Sequence, residues 1–224
     1  MILEVKNINK SYSNLKALDS VSFSIDEGQY VAIIGPNGSG KSTLMQILTG
    51  LFLPDSGEVN IFNLGLKKNL TFILSKMGIV FQQPTMDGEL SIYANLKFHS
   101  QLHGMSHSLA NSRIKDLVEK FELKEHLNKQ AKNLSGGLKR RLEIVRSILH
   151  NPKILILDEA TSGLDPESRK NILTYITDLN KNEKLTIISI THLKDETLDV
   201  DKVIMLKNGK LVFNDTKDNF LENN

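Results

Sequence analysis

The 224-residue sequence has no cysteine and no tryptophan, only 5 prolines, and 6% aromatic residues. Without cysteine there can be no disulfide framework and no thiolate metal site, and a reducing compartment is the natural setting. Long hydrophobic runs are missing too. Apolar stretches such as 154–157 fall far short of the ~18 to 20 residues that a membrane-spanning helix needs. The opening MILEVKNINK lacks the basic-then-apolar pattern of a signal peptide, so the expected location is cytoplasmic. Charge of one sign is also scarce. The 28 Lys and Arg against 26 Asp and Glu leave a net charge of +2, too small to argue for a nucleic-acid partner. There are no internal repeats, low-complexity tracts or Pro- and Ser-rich linkers, which removes the collagen-like, coiled-coil and disordered classes.

What is present is an ordinary globular balance, 40% apolar and 24% charged, on a chain long enough to bury a full core. Its patterning changes along the length. Ile2, Leu3 and Val5 open one strand, and Val21, Phe23 and Ile25 alternate with Ser22 and Ser24 in another, as in a half-buried antiparallel sheet. Residues 30–34 are continuously apolar, the pattern of a strand buried on both faces. Residues 41–49 follow as a helix with Gly50 as its stop. Alternation returns at 58–62 and 78–81.

From Pro84 to His150 the spacing is helical: Ala110, Ile114, Leu117, Val118 and Phe121 in one segment, Leu142, Val145, Ile148 and Leu149 in another. Strands resume at 154–157 and 185–190, separated by a helix after Pro166. Two further strands flank Asn208-Gly209, a pair suited to a type I′ hairpin turn because both positions need positive φ. The expected fold is α/β: a mostly parallel sheet flanked by helices, with an antiparallel β subdomain. Residues 84–150 form an inserted helical subdomain within a single domain, 1–224.

Residues 35–42 read GPNGSGKS, fitting G-x-x-x-x-G-K-[ST] between an apolar strand and a helix. Glycines let backbone N–H groups close around a phosphate where side chains would collide. The following helix adds its positive N-terminal end. Gly35, Pro36, Asn37, Gly38, Ser39, Gly40, Lys41, Ser42 and the adjoining Thr43 are the candidate nucleotide cradle. Lys41 would reach the β- and γ-phosphates of ATP, and Ser42 would ligate Mg²⁺. The strand at 154–157 runs into Asp158 and Glu159, at the sheet edge where open α/β folds bind ligands. Asp158 would hold Mg²⁺ through water, and Glu159 would polarise the attacking water.

Residues 134–138 read LSGGL. Ser135 can cap the next helix, and Gly136 and Gly137 expose its first N–H groups, a second anion-binding helix end. With one phosphate loop in the chain, a spare phosphate surface suits completing the site of another copy.

GPNGSGKS, LSGGL, ILILDEATSGLD and the ITH of 190–192, in this order, resemble the nucleotide-binding subunit of ATP-binding cassette (ABC) transporters. The resemblance runs from Tyr12 to the C-terminal hairpin. It implies that Tyr12 stacks on adenine and that Gln82, with Gln83 as the second choice, senses Mg²⁺ and the membrane partner. It further implies that Ser135, Gly136 and Gly137 contact the γ-phosphate held by the opposite subunit, that Asp165 crosses the dimer interface, and that His192 is the switch histidine. The implied catalytic set is Glu159, His192, Lys41 and Gln82, and the implied metal set is Ser42, Gln82 and Asp158. The implied function is ATP hydrolysis by a homodimer formed on ATP binding, which energises a separate transmembrane permease from the inner face of the cell membrane.

Two positions depart from the family pattern: Leu138 replaces the usual glutamine after SGG, and Ala160 the usual proline after Asp-Glu. Leu138 and the segment VFQQPTMDGELSIYANL resemble the ABC-2-type exporter branch, which implies export. Ala94 stands where that segment usually has an acid, so an ion pair from this position to the membrane subunit would be missing. The alternative is a soluble ABC-type ATPase acting on ribosomes or nucleic acid. Such proteins usually carry two cassettes, a long coiled coil or zinc cysteines, none of which is present.

Other candidates carry less. His99, His103 and His107 recur every four residues and could share a helix face, but Gly104 interrupts it and no carboxylate joins them. Lys139, Arg140 and Arg141 read as a solvated basic face. Asn180-Lys181-Asn182-Glu183 ends in Glu and has no strand before it, which argues against guanine recognition.

Overall fold

The computed structural model describes residues 1–222. The N-terminal alternation makes an antiparallel sheet from β1 (Leu3–Tyr12), β2 (Leu15–Ile25), β4 (Ser56–Ile61) and the short β5 (Leu64–Gly65), in the order β2-β1-β4-β5. Leu3 and Val5 face Ile25 and Phe23 on one side and Ile61 and Val59 on the other.

The second sheet contains β3 (Tyr30–Ile34), β6 (Met77–Val80), β7 (Ile154–Asp158), β8 (Thr186–Thr191), β9 (Lys202–Lys207) and β10 (Lys210–Thr216). Its order is β10-β9-β3-β8-β7-β6. Every neighbouring pair is parallel except the β9–β10 hairpin.

The continuous apolar runs are explained by two cores, one on each face of this sheet. Val31, Ile33, Ile154 and Ile156 point into a cluster shared with the antiparallel sheet and with α1 (Lys41–Leu48). Tyr30, Ala32, Ile34, Leu155 and Leu157 point into the opposite cluster. That cluster is covered by α4 (His107–Lys120), α5 (Gly136–Ile148) and α6 (Pro166–Glu183). With both faces dry, period-two alternation has no solvent side to mark, so these strands read as solid hydrophobic runs.

Between β6 and β7 lie α3 (Ile92–Leu102), α4, two short 3₁₀ turns and α5. Each helix starts on a hydroxyl cap: Ser91 Oγ accepts from the Ala94 N–H, Ser106 Oγ from Leu109 and Ser135 Oγ from Leu138. The buried Asn95 amide donates to the carbonyls of Asp87, Leu90 and Ser91 and accepts from the Asp87 N–H, which fixes the loop ahead of α3. The last helix, α5, packs directly on β6. A Cβ on Gly78 would lie 2.3 Å from the Ser147 carbonyl oxygen, so glycine there permits the close approach.

The remaining helices are α2 (Leu70–Leu74) and α7 (Lys217–Glu222). Asn208 and Gly209 turn the C-terminal hairpin at φ 51° and 75°. This turn rests on the phosphate loop: the Gly209 N–H donates to the Ser39 carbonyl (3.1 Å), and the Asp19 N–H to the Gly209 carbonyl (2.8 Å). Asn180 lies near the end of α6 and donates to the Gly28 and Leu185 carbonyls, a structural staple remote from base recognition.

Gly78→Ala should lower stability by about 1–3 kcal/mol, because the added methyl meets backbone that cannot rotate away. Urea denaturation measures this; an unchanged midpoint would mean that α5 is free to lift from β6.

Candidate active site

Parallel pairing brings the C-terminal ends of β3, β7 and β8 to one edge. Ile34 is level with Thr191, and Asp158 with Ile190. The chain leaving β3 is therefore the phosphate loop, the chain leaving β7 carries Asp158 and Glu159, and the chain leaving β8 carries His192.

The loop's backbone is left-handed at Gly38 (φ 77°) and Gly40 (φ 103°). A Cβ on Gly40 would meet the Ala17 carbonyl at 2.5 Å, and one on Gly35 would meet the Leu206 carbonyl at 2.3 Å. A Cβ on Gly38 would meet nothing within 4 Å, so this part of the loop faces open space. Lys41 is largely buried, and its ammonium donates to the Gly35 (2.7 Å) and Pro36 (3.1 Å) carbonyls. Burial lowers its pKa, opposed by the Glu159 and Asp158 carboxylates. Ser39 Oγ is buried with no hydrogen-bond partner. Ser42 is exposed and Thr43 half-buried in the first turn of α1, while Pro36 and Asn37 are exposed.

Burial raises the pKa of Asp158, and the neighbouring Glu159 charge raises it further, against Arg140 and Lys41. Glu159 sits in the left-handed region at φ 47°, unusual for a residue with a Cβ. Its N–H donates to the Ile190 carbonyl (2.8 Å), tying it to β8. Its carboxylate accepts from Gln82 Nε2 at 2.9 Å and lies 3.2 Å from His192 Nδ1. Gln82, Glu159 and His192, far apart in sequence, are thus in direct contact.

The other expected residues make different contacts. Tyr12 ends β1, exposed, edge-on to Phe52 and 5.7 Å under the Lys10 ammonium. Ser135 and Gly136 are exposed at the start of α5. Ser135 Oγ is engaged within its own helix, accepting from the Leu138 N–H at 3.4 Å. Asp165 caps α6 by accepting from the Ser168 N–H (2.9 Å), which lowers its pKa. Gln83 is exposed.

The basic face expected at 139–141 needs correcting. Arg140 is buried: its guanidinium pairs with Glu143 (2.8 Å) and donates to the carbonyls of Phe81 (2.8 Å) and Gln82 (3.2 Å). Glu143 accepts from the Thr85 N–H, and Arg146 donates to the Thr85 carbonyl. Arg141 pairs with Glu122 and covers the Tyr175 ring. One face of α5 therefore grips residues 81–85, the segment that presents Gln82. Arg140, Glu143 and Arg146 recur every third residue, a spacing that shared-face reasoning could have found.

Residues 18–162 match the family model described as ABC transporter. The chain belongs to the ABC transporter family. It is an ATPase of that family with the P-loop NTPase fold. Among its relatives is the energy-coupling factor transporter ATP-binding protein EcfA of Enterococcus faecium, 39% identical over 94% of this cassette and 77% of the relative. The linearmycin resistance ATP-binding protein LnrL of Bacillus subtilis is 31% identical, over 96% and 70%. Among solved structures, cbiO1 from Clostridium perfringens, described as part of the ABC transporter complex cbiONQ, superposes with a TM-score of 0.91. It is 30% identical, over 99% of the cassette and 90% of that chain. The dimeric post-hydrolysis state of the cassette MJ0796 bound to ADP and phosphate gives 0.87 at 29% identity, over 96% and 99%.

Arg140→Ala removes the guanidinium paired with buried Glu143, leaving it only the Thr85 N–H and the nearby Arg146 charge, and should cost about 3–5 kcal/mol in urea denaturation. Replacing both with apolar residues (Arg140→Met with Glu143→Leu) should recover most of that loss while leaving the Phe81 and Gln82 carbonyls untethered.

Proposed function

We propose that this cassette is the ATP-hydrolysing subunit of a transporter, working as one ATPase unit per chain and energising a separate transmembrane permease. The contact of Glu159 with both Gln82 and His192 carries the reading. A carboxylate at the end of a buried strand, oriented by two polar side chains and opposite a lysine-bearing phosphate loop, is equipped to activate water against a γ-phosphate.

Gly35, Pro36, Asn37, Gly38, Ser39, Gly40, Lys41, Ser42 and Thr43 bind the phosphates of ATP. The open space beside Gly38 and the unpartnered Ser39 Oγ fit this role. Lys41 trades its loop carbonyls for phosphate oxygens and neutralises their charge. Tyr12 offers its exposed ring to adenine. Ser42, Asp158 and Gln82 form the Mg²⁺ set; a hydroxyl, a carboxylate and an amide oxygen are the hard donors this ion takes. Mg²⁺ supplies charge neutralisation at the β- and γ-phosphates. Glu159 accepts the proton of the attacking water, and Gln82 and His192 hold its two oxygens in place until it does. His192 then bonds the γ-phosphate as well.

Ser135, Gly136 and Gly137 serve the ATP of a second copy. The exposure of Ser135 and Gly136 favours a homodimer closed around nucleotide, an arrangement that also suits the dimeric relative. Asp165, the cap of α6, is assigned to the interface of that dimer. Among the described residues no helix is long and apolar enough to cross a membrane, so the chain would reach the membrane's inner face by docking on the permease.

The exporter branch expected from Leu138 and the segment before α3 draws less support. Energy-coupling factor ATP-binding proteins are 36–39% identical, against 31% for the linearmycin resistance protein. We place the cassette nearer the energy-coupling factor transporters, and export is not part of the proposal.

Glu159→Gln should bind ATP yet hydrolyse it about 10²- to 10⁴-fold more slowly, the usual contribution of a positioned base. It should also accumulate as a dimer with MgATP, read by light scattering; a monomer under those conditions would sink the shared site. Purification from detergent-solubilised membranes should bring down a multi-span protein, and recovery with ribosomes instead would overturn the permease reading.

A further inference from the structure

Three histidines converge away from the nucleotide site. His99 lies in the last turn of α3, His103 caps its end, and His150 follows α5 just before β7. Each offers a ring nitrogen within 4.8 Å of the other two. The ring centroids of His99 and His103 are 4.6 Å apart, and those of His99 and His150 are 5.9 Å apart. His103 and His150 stack at 3.7 Å and 14°.

The third member is not the one the sequence spacing offered. Gly104 turns the chain at φ 64° and ends the helix, and His107 starts α4 with its ring 3.2 Å from the Asn111 amide. His150, from a distant segment, takes its place.

The hydrogen bonding around these rings is incomplete. His150 Nε2 lies 3.0 Å from the Met77 carbonyl oxygen. A carbonyl only accepts, so Nε2 carries the proton and Nδ1 keeps a free lone pair. That Nδ1 is buried without a partner, and so is His99 Nε2. Buried polar nitrogens left unpaired beside a third ring are costly unless something binds between them.

We propose that His99, His103 and His150 form a binding site for a divalent transition-metal ion of the Zn²⁺ class, tying the end of α3 to the junction of α5 with β7. Imidazole nitrogens suit such ions, whereas Mg²⁺ prefers oxygen. Burial lowers His99 to about 3 and His150 to about 4, and lowers His103 as well, so the rings are neutral, the form that ligates. The Met77 carbonyl is the outer partner that fixes the His150 tautomer, an arrangement common among metal-bound histidines. Arg146 near His99, and Lys76 and Arg113 near His150, oppose a purely electrostatic cation and favour one held by strong metal–nitrogen bonds.

A tetrahedral ion with bonds of about 2.0–2.1 Å spaces its nitrogens by about 3.3 Å, so the rings must draw together. Two stacked rings cannot both aim in-plane lone pairs at one ion. The half-buried His103 therefore swings out of its stack as the ion enters, and water takes the fourth position.

The test titrates the full chain, its purification tag removed, with Zn²⁺ against a chromophoric chelator. Excess Mg²⁺ occupies the oxygen-donor site without competing for imidazole. One Zn²⁺ per chain should bind, with a raised thermal midpoint. His103→Ala should weaken binding at least about tenfold, and His107→Ala should leave it unchanged. Because His103 is half-exposed its variant should fold, checked by circular dichroism, and His99→Gln gives a second reading. No competitive Zn²⁺ binding, or equal binding by the wild type and His103→Ala, would overturn the proposal. Neither readout depends on ATP hydrolysis, so the outcome is independent of the proposed function.

Discussion

Parallel hydrogen bonding among β3, β8 and β7 is the constraint on which the site depends. The register that sets Ile34 beside Thr191 and Asp158 beside Ile190 delivers three chain segments to one edge at one height. A slip of a single residue would turn Val31, Ile33, Ile154 and Ile156 from one core to the other and move every functional side chain with them. The two cores are built from different buried residues, so the packing that stabilises the fold also aligns the site. The bond from the Glu159 N–H to the Ile190 carbonyl extends the same ladder past the strand and holds Glu159 in its left-handed conformation.

Charge is concentrated where the strands end. Asp158 and Glu159 are adjacent carboxylates in a partly desolvated edge, and the rise in the Asp158 pKa records both burial and repulsion. Lys41 is held close by, its ammonium satisfied by its own loop. The proposed binding of phosphate and Mg²⁺ would draw on this pairing of two carboxylates with a tethered cation.

Helix α5 joins distant parts of this machinery. Its N-terminal turn is exposed at Ser135 and Gly136, its middle is locked to residues 81–85 through Arg140, Glu143 and Arg146, and its last turn lies against Gly78 at Ser147. Gln82 in turn touches Glu159. The exposed start of α5 and the Glu159 carboxylate are thus linked by a short run of contacts through Gln82 and buried Arg140.

Local chemistry is what the sequence by itself determined. A glycine-rich loop before a helix, an apolar strand ending in two acids, hydroxyls at helix starts and an Asn-Gly turn each work through neighbours within a few residues, so their residues can be read in order. The tertiary structure alone decided which remote groups meet. Arg140 has the composition of a solvated residue, and only its packing beneath residues 81–85 makes it a tether. His107 fits the helical spacing of His99 and His103, yet the turn at Gly104 removes it and the fold supplies His150. The Asn208-Gly209 turn was legible, but its seat against Ser39 was not. Pairings across long loops depend on how whole elements pack, and no local pattern encodes that distance.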